Sequence, residues 1–355
     1  MYNFNITLTK TPKEKPELND RLPFGKYFTD HMFIMDYEEG KGWFDPRVET
    51  YAPLSLQPAT SCLHYAQETF EGMKAYRTCD DKLQLFRPYD NFKRFNNSNA
   101  RICIPELDVE LCVQAVKTLV NIDKDWIPAY PGTSLYIRPF IIAVDEQIGV
   151  HPASKYIFMI ILSPVGSYYP DGINPVKIYV EEKYSRTSPG GTGTAKVGGN
   201  YAASLLAQKE AVNKGCIQVL WLDGAEHKYV DEVGAMNVFF VIGDEVVTPS
   251  LNDAILPGIT RHSAIEVLRS GGIKVTERLL SIEEVTNAAK TGELREMFGT
   301  GTAAVVSPVG KLLYRDKEIT INNNLIGSIT QKLYDELTGI QTGSRPDKFG
   351  WIFPL

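Results

Sequence analysis

Apolar and polar side chains that alternate with a period of two mark half-buried strands, and a period near 3.6 marks helices. On that measure the first half of the chain is mixed. Residues 1–25, rich in Pro, Lys and Glu, read as an extended arm, and Phe28-Thr-Asp-His-Met-Phe-Ile-Met-Asp36 reads as a strand. A loop through Gly40-Lys-Gly-Trp43 and a turn at Pro46 follow, and Ser61-Cys-Leu-His-Tyr65 leads into Gln67–Tyr76. Lys82-Leu-Gln-Leu-Phe86 alternates after the polar turn Asp80-Asp81. Asp90 is expected to cap a short helix with Phe92 and Phe95 on one side and Arg94 between them. A stronger helix runs from Val109 to Asn121, with Leu111, Ala115, Leu119 and Cys112, Val116, Val120 at helical spacing. Ser134–Ala143 and Lys155–Leu162 are apolar strands, so this half is predicted to be α+β with antiparallel strands joined by loops.

Ser163–Gly172 is rich in Pro and Gly and marks an interdomain link. The expected division is a domain over 1–165, a link over 166–176 and a second domain over 177–355. Val176–Val180 is a strand, and a helix from Tyr201 to about Lys214, with Asn200 as a candidate cap, stops at Gly215. Ile217–Leu222 is a strand turned by Asp223-Gly224, and Val238–Ile242 turns at Gly243-Asp244 to pair with Glu245–Thr248. Leu256–Ser263 opens another helix, and Ser281-Ile-Glu-Glu284 is a capping-box sequence. Glu296–Ala304 reads as a small-residue turn, and a final helix is expected from about Leu325 to Leu337. No internal repeat is apparent.

Composition narrows the function classes. The chain has 355 residues, 43% of them hydrophobic, with a net charge of −6. That length supports two domains, and the charge does not favour nucleic acid or an anionic membrane. The longest apolar run, Tyr156–Leu162, falls far short of the roughly 20 residues that span a bilayer. Met1–Thr7 shows no basic region followed by an apolar core, so no signal peptide is expected. Five cysteines at irregular spacing, with no CxxC pair, point to free thiols and a cytoplasmic protein. The five histidines are scattered, and no metal site is expected.

The candidate chemistry centres on Lys196, in Ser188-Pro-Gly-Gly-Thr-Gly-Thr-Ala-Lys-Val-Gly-Gly-Asn200. Glycines permit close approach of a ligand to the backbone. A P-loop is excluded, because Ala195 and Val197 flank the lysine and no Ser/Thr follows it. A solvated lysine in a turn and an imine-forming lysine, which needs a partly desolvated site, both remain open on this stretch alone. Gly258-Ile-Thr, at a helix start, and Gly299-Thr-Gly-Thr-Ala303, as a backbone nest, are candidate phosphate sites. Glu232 is an acid entering an apolar strand; if buried, it needs a cationic partner. An activated lysine, a phosphate site and a lone acid for a ring nitrogen are the parts of a pyridoxal phosphate enzyme.

The run Gly191–Ser204 resembles the cofactor-lysine segment of branched-chain amino acid aminotransferases. The resemblance extends to Phe28-Thr-Asp-His-Met, Leu63-His-Tyr, Phe70-Glu-Gly-Met-Lys-Ala, Leu135-Tyr-Ile-Arg-Pro, Pro164-Val-Gly, Asp231–Asn237, Ile255–Arg261 and Phe298–Ala303, in the family's order. It implies an α+β, two-domain, fold-type IV enzyme with a smaller N-terminal α/β domain and a larger, barrel-like, cofactor-binding C-terminal domain. Pyridoxal 5'-phosphate is the implied cofactor. Lys196 matches the lysine that forms the internal aldimine and then carries the proton as general base and acid. Glu232 matches the acid paired with the pyridine nitrogen, and Tyr201 the tyrosine on the ring's phenolic oxygen. Arg94 matches the phosphate-binding arginine, with Ile259, Thr260 and Thr302 giving backbone and hydroxyl contacts to the phosphate. Tyr136 and Arg138, two apart and so on one strand face, match the pair near the substrate. The tyrosine, with the backbone at Thr302 and Ala303, receives the substrate carboxylate, and the arginine serves glutamate's second carboxylate. Phe28, Tyr65, Phe70 and Tyr168 match aromatics lining an apolar pocket suited to leucine, isoleucine and valine. Ile148-Gly-Val150 matches a loop reaching the neighbouring subunit's pocket, which implies a homodimer.

The implied reaction moves the amino group between a branched-chain amino acid and 2-oxoglutarate, giving the 2-oxo acid and glutamate. Within the same fold the alternative is a D-amino acid aminotransferase or an aminodeoxychorismate lyase. Those are not expected to carry Tyr-Ile-Arg-Pro and Pro-Val-Gly-Ser-Tyr together. A non-catalytic phosphate-ligand sensor leaves Lys196 and Glu232 without roles. Two departures stand out: Ala304 and Ser307 replace the CxxC of mammalian members, and Ala235 replaces a threonine near the ring in some members.

Overall fold

Period-two alternation sorts the strands of the first half onto two faces, and the faces carry different chemistry. The computed structural model describes residues 2–169 and 172–355. The first of its two units comprises residues up to 170, Ala195–Gly198 and Ile340–Leu355; the second comprises the rest. In chain order the first unit contains β1 (Asn5–Ile6), β2 (His31–Glu38), β3 (Gly42–Thr50), α1 (Cys62–Tyr65), β4 (Glu68–Phe70), β5 (Met73–Arg77), β6 (Leu83–Phe86), α2 (Pro88–Arg101), α3 (Val109–Ile122), β7 (Ser134–Ala143) and β8 (Lys155–Val165). On β7, Leu135, Ile137, Ile141 and Ala143 pack into one core with Phe92 and Phe95 of α2 and Val116 and Leu119 of α3. Ile142 joins Met32, Ile34 and Met159 on the opposite face. Tyr136, Arg138 and Phe140 alternate onto that second face, away from the helices.

The second unit carries β9 (Val176–Val180), α4 (Gly198–Asn213), β10 (Gln218–Leu222), β11 (Val230–Val233), β12 (Asn237–Ile242), β13 (Glu245–Thr248), α5 (Ile259–Ser270), β14 (Val275–Glu277), α6 (Ile282–Thr291), β15 (Leu294–Gly301), β16 (Val305–Tyr314), β17 (Lys317–Thr320) and most of α7 (Ser328–Gln341). Its core joins Val180, Leu220, Val238 and Phe240 from the sheet to Val285 and Ala288 of α6. The last strand, β18 (Ile352–Pro354), returns to the first unit and pairs antiparallel with β6. The first sheet runs β1-β3-β2-β8-β7-β5-β6-β18 with β4 on β7, and the second runs β11-β10-β9-β16-β15-β12-β13-β14 with β17 on β16. Helices and mixed sheets in two units make this an α+β fold.

Several local expectations shift. Asp90 lies inside the first turn of α2 and accepts from Arg87 Nε at 2.7 Å; the N-cap is Arg87, in left-handed backbone. Asn200 also lies inside its helix, tied to Thr192 by Oδ1 at 2.6 Å and Nδ2 at 2.8 Å. Asp223 opens a longer loop than a two-residue hairpin, its carboxylate accepting from the backbone of Ala225, Glu226, Lys228 and Tyr229. Gly299–Gly301 is strand, paired with Ser307–Val305, so only residues 302–304 turn. The final helix starts at Ser328, because buried Glu296 accepts from the backbone of Ile329 and Thr330 and so caps it there. β8 runs through Val165, beyond the expected strand end at Leu162, and two residues of the expected link, Pro170 and Asp171, lie outside the described residues.

Candidate active site

In the first unit, the loop Ala195–Gly198 lies along β4. Phe70 N donates to Lys196 O at 3.1 Å, and Thr69 bridges antiparallel to Val197. Lys196 N in turn donates to Ser98 Oγ of α2 at 2.9 Å. A lysine in a glycine-rich loop is thereby fixed at its backbone. Its Nζ lies 4.7 Å from the Phe70 ring centroid, and the side chain is half-buried. Beside it, Glu71 is fully buried and grips Arg94 with both oxygens, at 2.8 Å to Nε and 2.9 Å to Nη2. Glu71 Oε2 also accepts from Asn91 and from Gly72 N. Burial pushes the Glu71 carboxyl up, but Arg94, with Lys196 and Asn91, outweighs it and holds the group below the usual range. Arg94 is buried, where a helix residue flanked by two phenylalanines would by itself read as exposed.

Tyr136 and Arg138 lie on one face of β7, as their spacing predicts. Arg138 Nη2 donates to Tyr136 Oη at 3.3 Å, and the guanidinium sits 4.8 Å from the Phe70 ring centroid. Arg138 Nε is buried without a hydrogen-bond partner among the described residues. Gly72 makes room for this arrangement: a Cβ there would stand 2.0 Å from Tyr136 Oη. Lys74, across the ladder from Tyr136, shares that face, and burial pushes its ammonium down to about 8. Phe28 stacks on Tyr51, ring centroids 5.3 Å apart. Tyr65 and Val150 instead share an exposed cleft of about 390 Å³ with Gln67, Cys103 and His151, whose lining includes none of Phe28, Phe70 and Tyr168. Tyr168 is exposed and meets Tyr169 edge-on.

In the second unit, Glu232 on β11 is buried, and its cationic partner is Arg186. Arg186 Nε lies 2.8 Å from Glu232 Oε2, a charge contact whose N–H is not aimed at the oxygen. Arg186 Nη2 donates to Gly193 O and Ala254 O, and Glu232 Oε1 accepts from Leu256 N at 3.0 Å and Asn237 Nδ2 at 3.2 Å. Glu232, Tyr201, Ala235, Gly234 and Trp221 line one cleft of about 260 Å³. Gly258 is the N-cap of α5 and offers no side-chain cap, which leaves the N–H groups at Ile259 and Thr260 to an anion. Thr302 and Ala303 sit in the turn between β15 and β16. Sequence reasoning missed Glu71, Lys74 and Arg186. The first two stand inside the Phe-Glu-Gly-Met-Lys motif, and the need of a buried Glu232 for a cation was the signal for the third.

Comparison with known proteins places these features in a family. The model of the class IV amino-transferases matches residues 68–312. Branched-chain-amino-acid aminotransferase 2 of Bacillus subtilis (strain 168) is 56% identical over 98% of this chain and 95% of its own length. The branched-chain-amino-acid aminotransferase of Mycolicibacterium smegmatis is 46% identical over 94% of this chain and 92% of its own. Among solved structures, the Escherichia coli branched-chain amino acid aminotransferase superposes with a TM-score of 0.76 at 26% identity, covering 91% of this chain and 98% of that one. The branched-chain aminotransferase of the thermophilic archaeon Thermoproteus uzoniensis, solved with norvaline, gives 0.73 at 25% identity, over 91% and 99%. An anchored lysine, a buried acid and full-length likeness converge: the chain belongs to the class IV aminotransferases and, within them, to the branched-chain amino acid aminotransferases.

Proposed function

We propose that this chain exchanges amino groups between leucine, isoleucine or valine and 2-oxoglutarate, using pyridoxal 5'-phosphate. The observation that carries the site assignment is Lys196, fixed at its backbone between β4 and α2, with Nζ beside Phe70 and close enough to Glu71 to act on its charge. The donor set fits the cofactor: an amine, a buried acid in a cleft with a tyrosine and a small-residue wall, and an uncapped helix N-terminus for a phosphate. When bound, pyridoxal phosphate supplies an electron sink for the pair left at the substrate Cα.

The chain's own residues do the rest. Lys196 Nζ would hold the cofactor and is the amine placed to take the proton from substrate Cα. Glu232, set beside Arg186 and two N–H donors, would hold a proton on the pyridine nitrogen. Tyr201 donates to the ring oxygen. Arg94, aimed by Glu71, and the backbone at Ile259, Thr260 and Thr302 bind the phosphate. Tyr136, with Thr302 and Ala303, orients the substrate carboxylate, and the unpartnered Arg138 Nε supports a place for glutamate's second carboxylate. Phe28 and Phe70 are assigned to the apolar pocket, and so by family resemblance are Tyr65 and Tyr168, although Tyr65 lines a separate cleft and Tyr168 is exposed; such a pocket separates side chains differing by one methylene by only about 1–3 kcal/mol. Val150, 86% exposed beside Tyr65, supports a homodimer in which this loop meets a second copy. Among the described residues no helix is long and apolar enough to cross a membrane. The free cysteines support a cytoplasmic location.

Lys196→Ala is the test. It is expected to abolish transamination and borohydride trapping of the cofactor on the protein; retained turnover would reject the assignment.

A further inference from the structure

The N-terminal arm is tied to β3 and then to the start of β2 at successive points. Thr7 N donates to Val48 O, and Thr9 N donates to His31 Nε2 at 2.9 Å. His31 Nδ1 faces Asp123 at 2.7 Å, so the proton sits on Nδ1 and Nε2 accepts. Lys13 N donates to Asp30 Oδ1 at 2.7 Å, and Asp30 Oδ2 accepts from Trp126 Nε1 at 2.9 Å. The Lys13 ammonium then spends its donors on Thr29 O at 2.7 Å and Phe28 O at 3.2 Å, and stands 4.0 Å from the Tyr51 ring centroid. Phe28 and Tyr51 are stacked with 7° between their planes. A lysine, a tyrosine ring and a phenylalanine ring therefore form a single layer, closed by the bond from Lys13 to the Phe28 carbonyl.

This layer adjoins the substrate face of the sheet. Thr29 N donates to Leu162 O, and the next residue, Ser163, is the register partner of Tyr136. Tyr51 packs on the Met32, Ile34 and Ile142 core, on the side of the sheet that carries Phe140.

We infer that Lys13 is a positioning residue for side-chain selectivity: through Tyr51 and the Phe28 carbonyl it holds the Phe28 ring in place as a wall of the substrate pocket. The inference rests on the reading that Phe28 lines that pocket. Lys13 reaches the substrate only through Phe28, so its removal loosens contacts made by a bulky substrate side chain and leaves those of a small one unchanged.

The experiment compares single-turnover half-reactions of the holoenzyme with L-leucine and L-alanine. Lys13→Met is expected to lower the second-order half-reaction rate constant for leucine about fivefold, the upper end for one cation–π contact at an exposed site, mostly through the apparent Kd. Alanine is expected to be unaffected, and Lys13→Arg to restore the wild-type ratio. Tyr51→Leu, which breaks the layer at its centre, is expected to lower the leucine-to-alanine ratio similarly, with no further loss when combined with Lys13→Met. If Phe28→Ala changes the ratio but neither Lys13→Met nor Tyr51→Leu does, the inference is wrong. If Phe28→Ala itself leaves the ratio unchanged, the pocket reading beneath it fails.

Discussion

Replacing Glu71 with glutamine alters one oxygen and one charge in a side chain that is fully buried. Oε2 accepts from Arg94 Nη2 at 2.9 Å, Asn91 Nδ2 at 2.8 Å and Gly72 N at 3.1 Å, and Oε1 accepts from Arg94 Nε at 2.8 Å. The single amide oxygen therefore takes the Oε2 position, and the new NH₂ faces Arg94 Nε, donor against donor. Breaking one partner of a buried ion pair costs about 3–5 kcal/mol, and the retained oxygen places this change near the lower end, about 3 kcal/mol. At roughly 2–4 °C per kcal/mol for a domain of this size, the apo-protein is expected to melt roughly 6–12 °C lower at pH 7. The Glu71 carboxyl is depressed in the folded state, so its stabilisation is complete above the ordinary glutamate pKa of about 4.3 and fades as pH falls through the folded value. The gap between wild type and variant is expected to narrow over that lower window. A double-mutant cycle with Arg94→Met checks the pairing, with an expected coupling of about 2 kcal/mol or more. An additive cycle, or a variant melting within a degree or so of wild type, would refute the reasoning.

Asp231 gives the opposite sign. Burial, aided by Asp223 and opposed by Asn252, pushes its carboxyl up to about 6, so its relative stability is full below the unfolded pKa and lost as pH rises through 6. Asp231→Asn is expected to gain about 2–3 kcal/mol at pH 8 and nothing near pH 4, by thermal melts across that range. Equal gains at both pH values would dismiss the burial explanation. Gly193→Ala puts a Cβ 2.5 Å from the backbone of Ala254, which cannot yield as a side-chain tip can. A loss of about 1–3 kcal/mol is expected, with weaker cofactor retention because Arg186 also anchors there; an unperturbed melt would show that the loop relaxes freely. Glu232→Gln is expected to keep the cofactor bound while slowing Cα–H removal about 100-fold. Single turnovers with Cα-deuterated leucine measure it, and an unchanged rate removes the electron-sink role.

Elements whose signal is local were legible in the sequence. The β12–β13 hairpin turns at Gly243-Asp244 as read, because two residues and a glycine at φ +55° suffice. Helix α6 begins at Ser281, whose hydroxyl accepts from Glu284 N at 3.1 Å. Tyr136 and Arg138 share a face because strand geometry allows nothing else. Lys196 was legible as a candidate, and its role followed from resemblance rather than from the residues around it.

Pairings that close over long sequence distances were not. Residues 340–355 and 195–198 were expected inside the second domain, yet they pack with the first unit, where β18 completes an edge of the sheet and Val197 bridges to Thr69. Arg94 is buried because Glu71 meets it, Glu232 is charge-balanced because Arg186 meets it, and α7 starts late because Glu296 caps it. By itself the sequence determined which positions seek burial and how each short segment bends, since periodicity and turn chemistry act within a few residues. Only the tertiary structure decided which buried charge found which partner: that choice depends on strand order and register, which packing sets between segments the local pattern cannot connect.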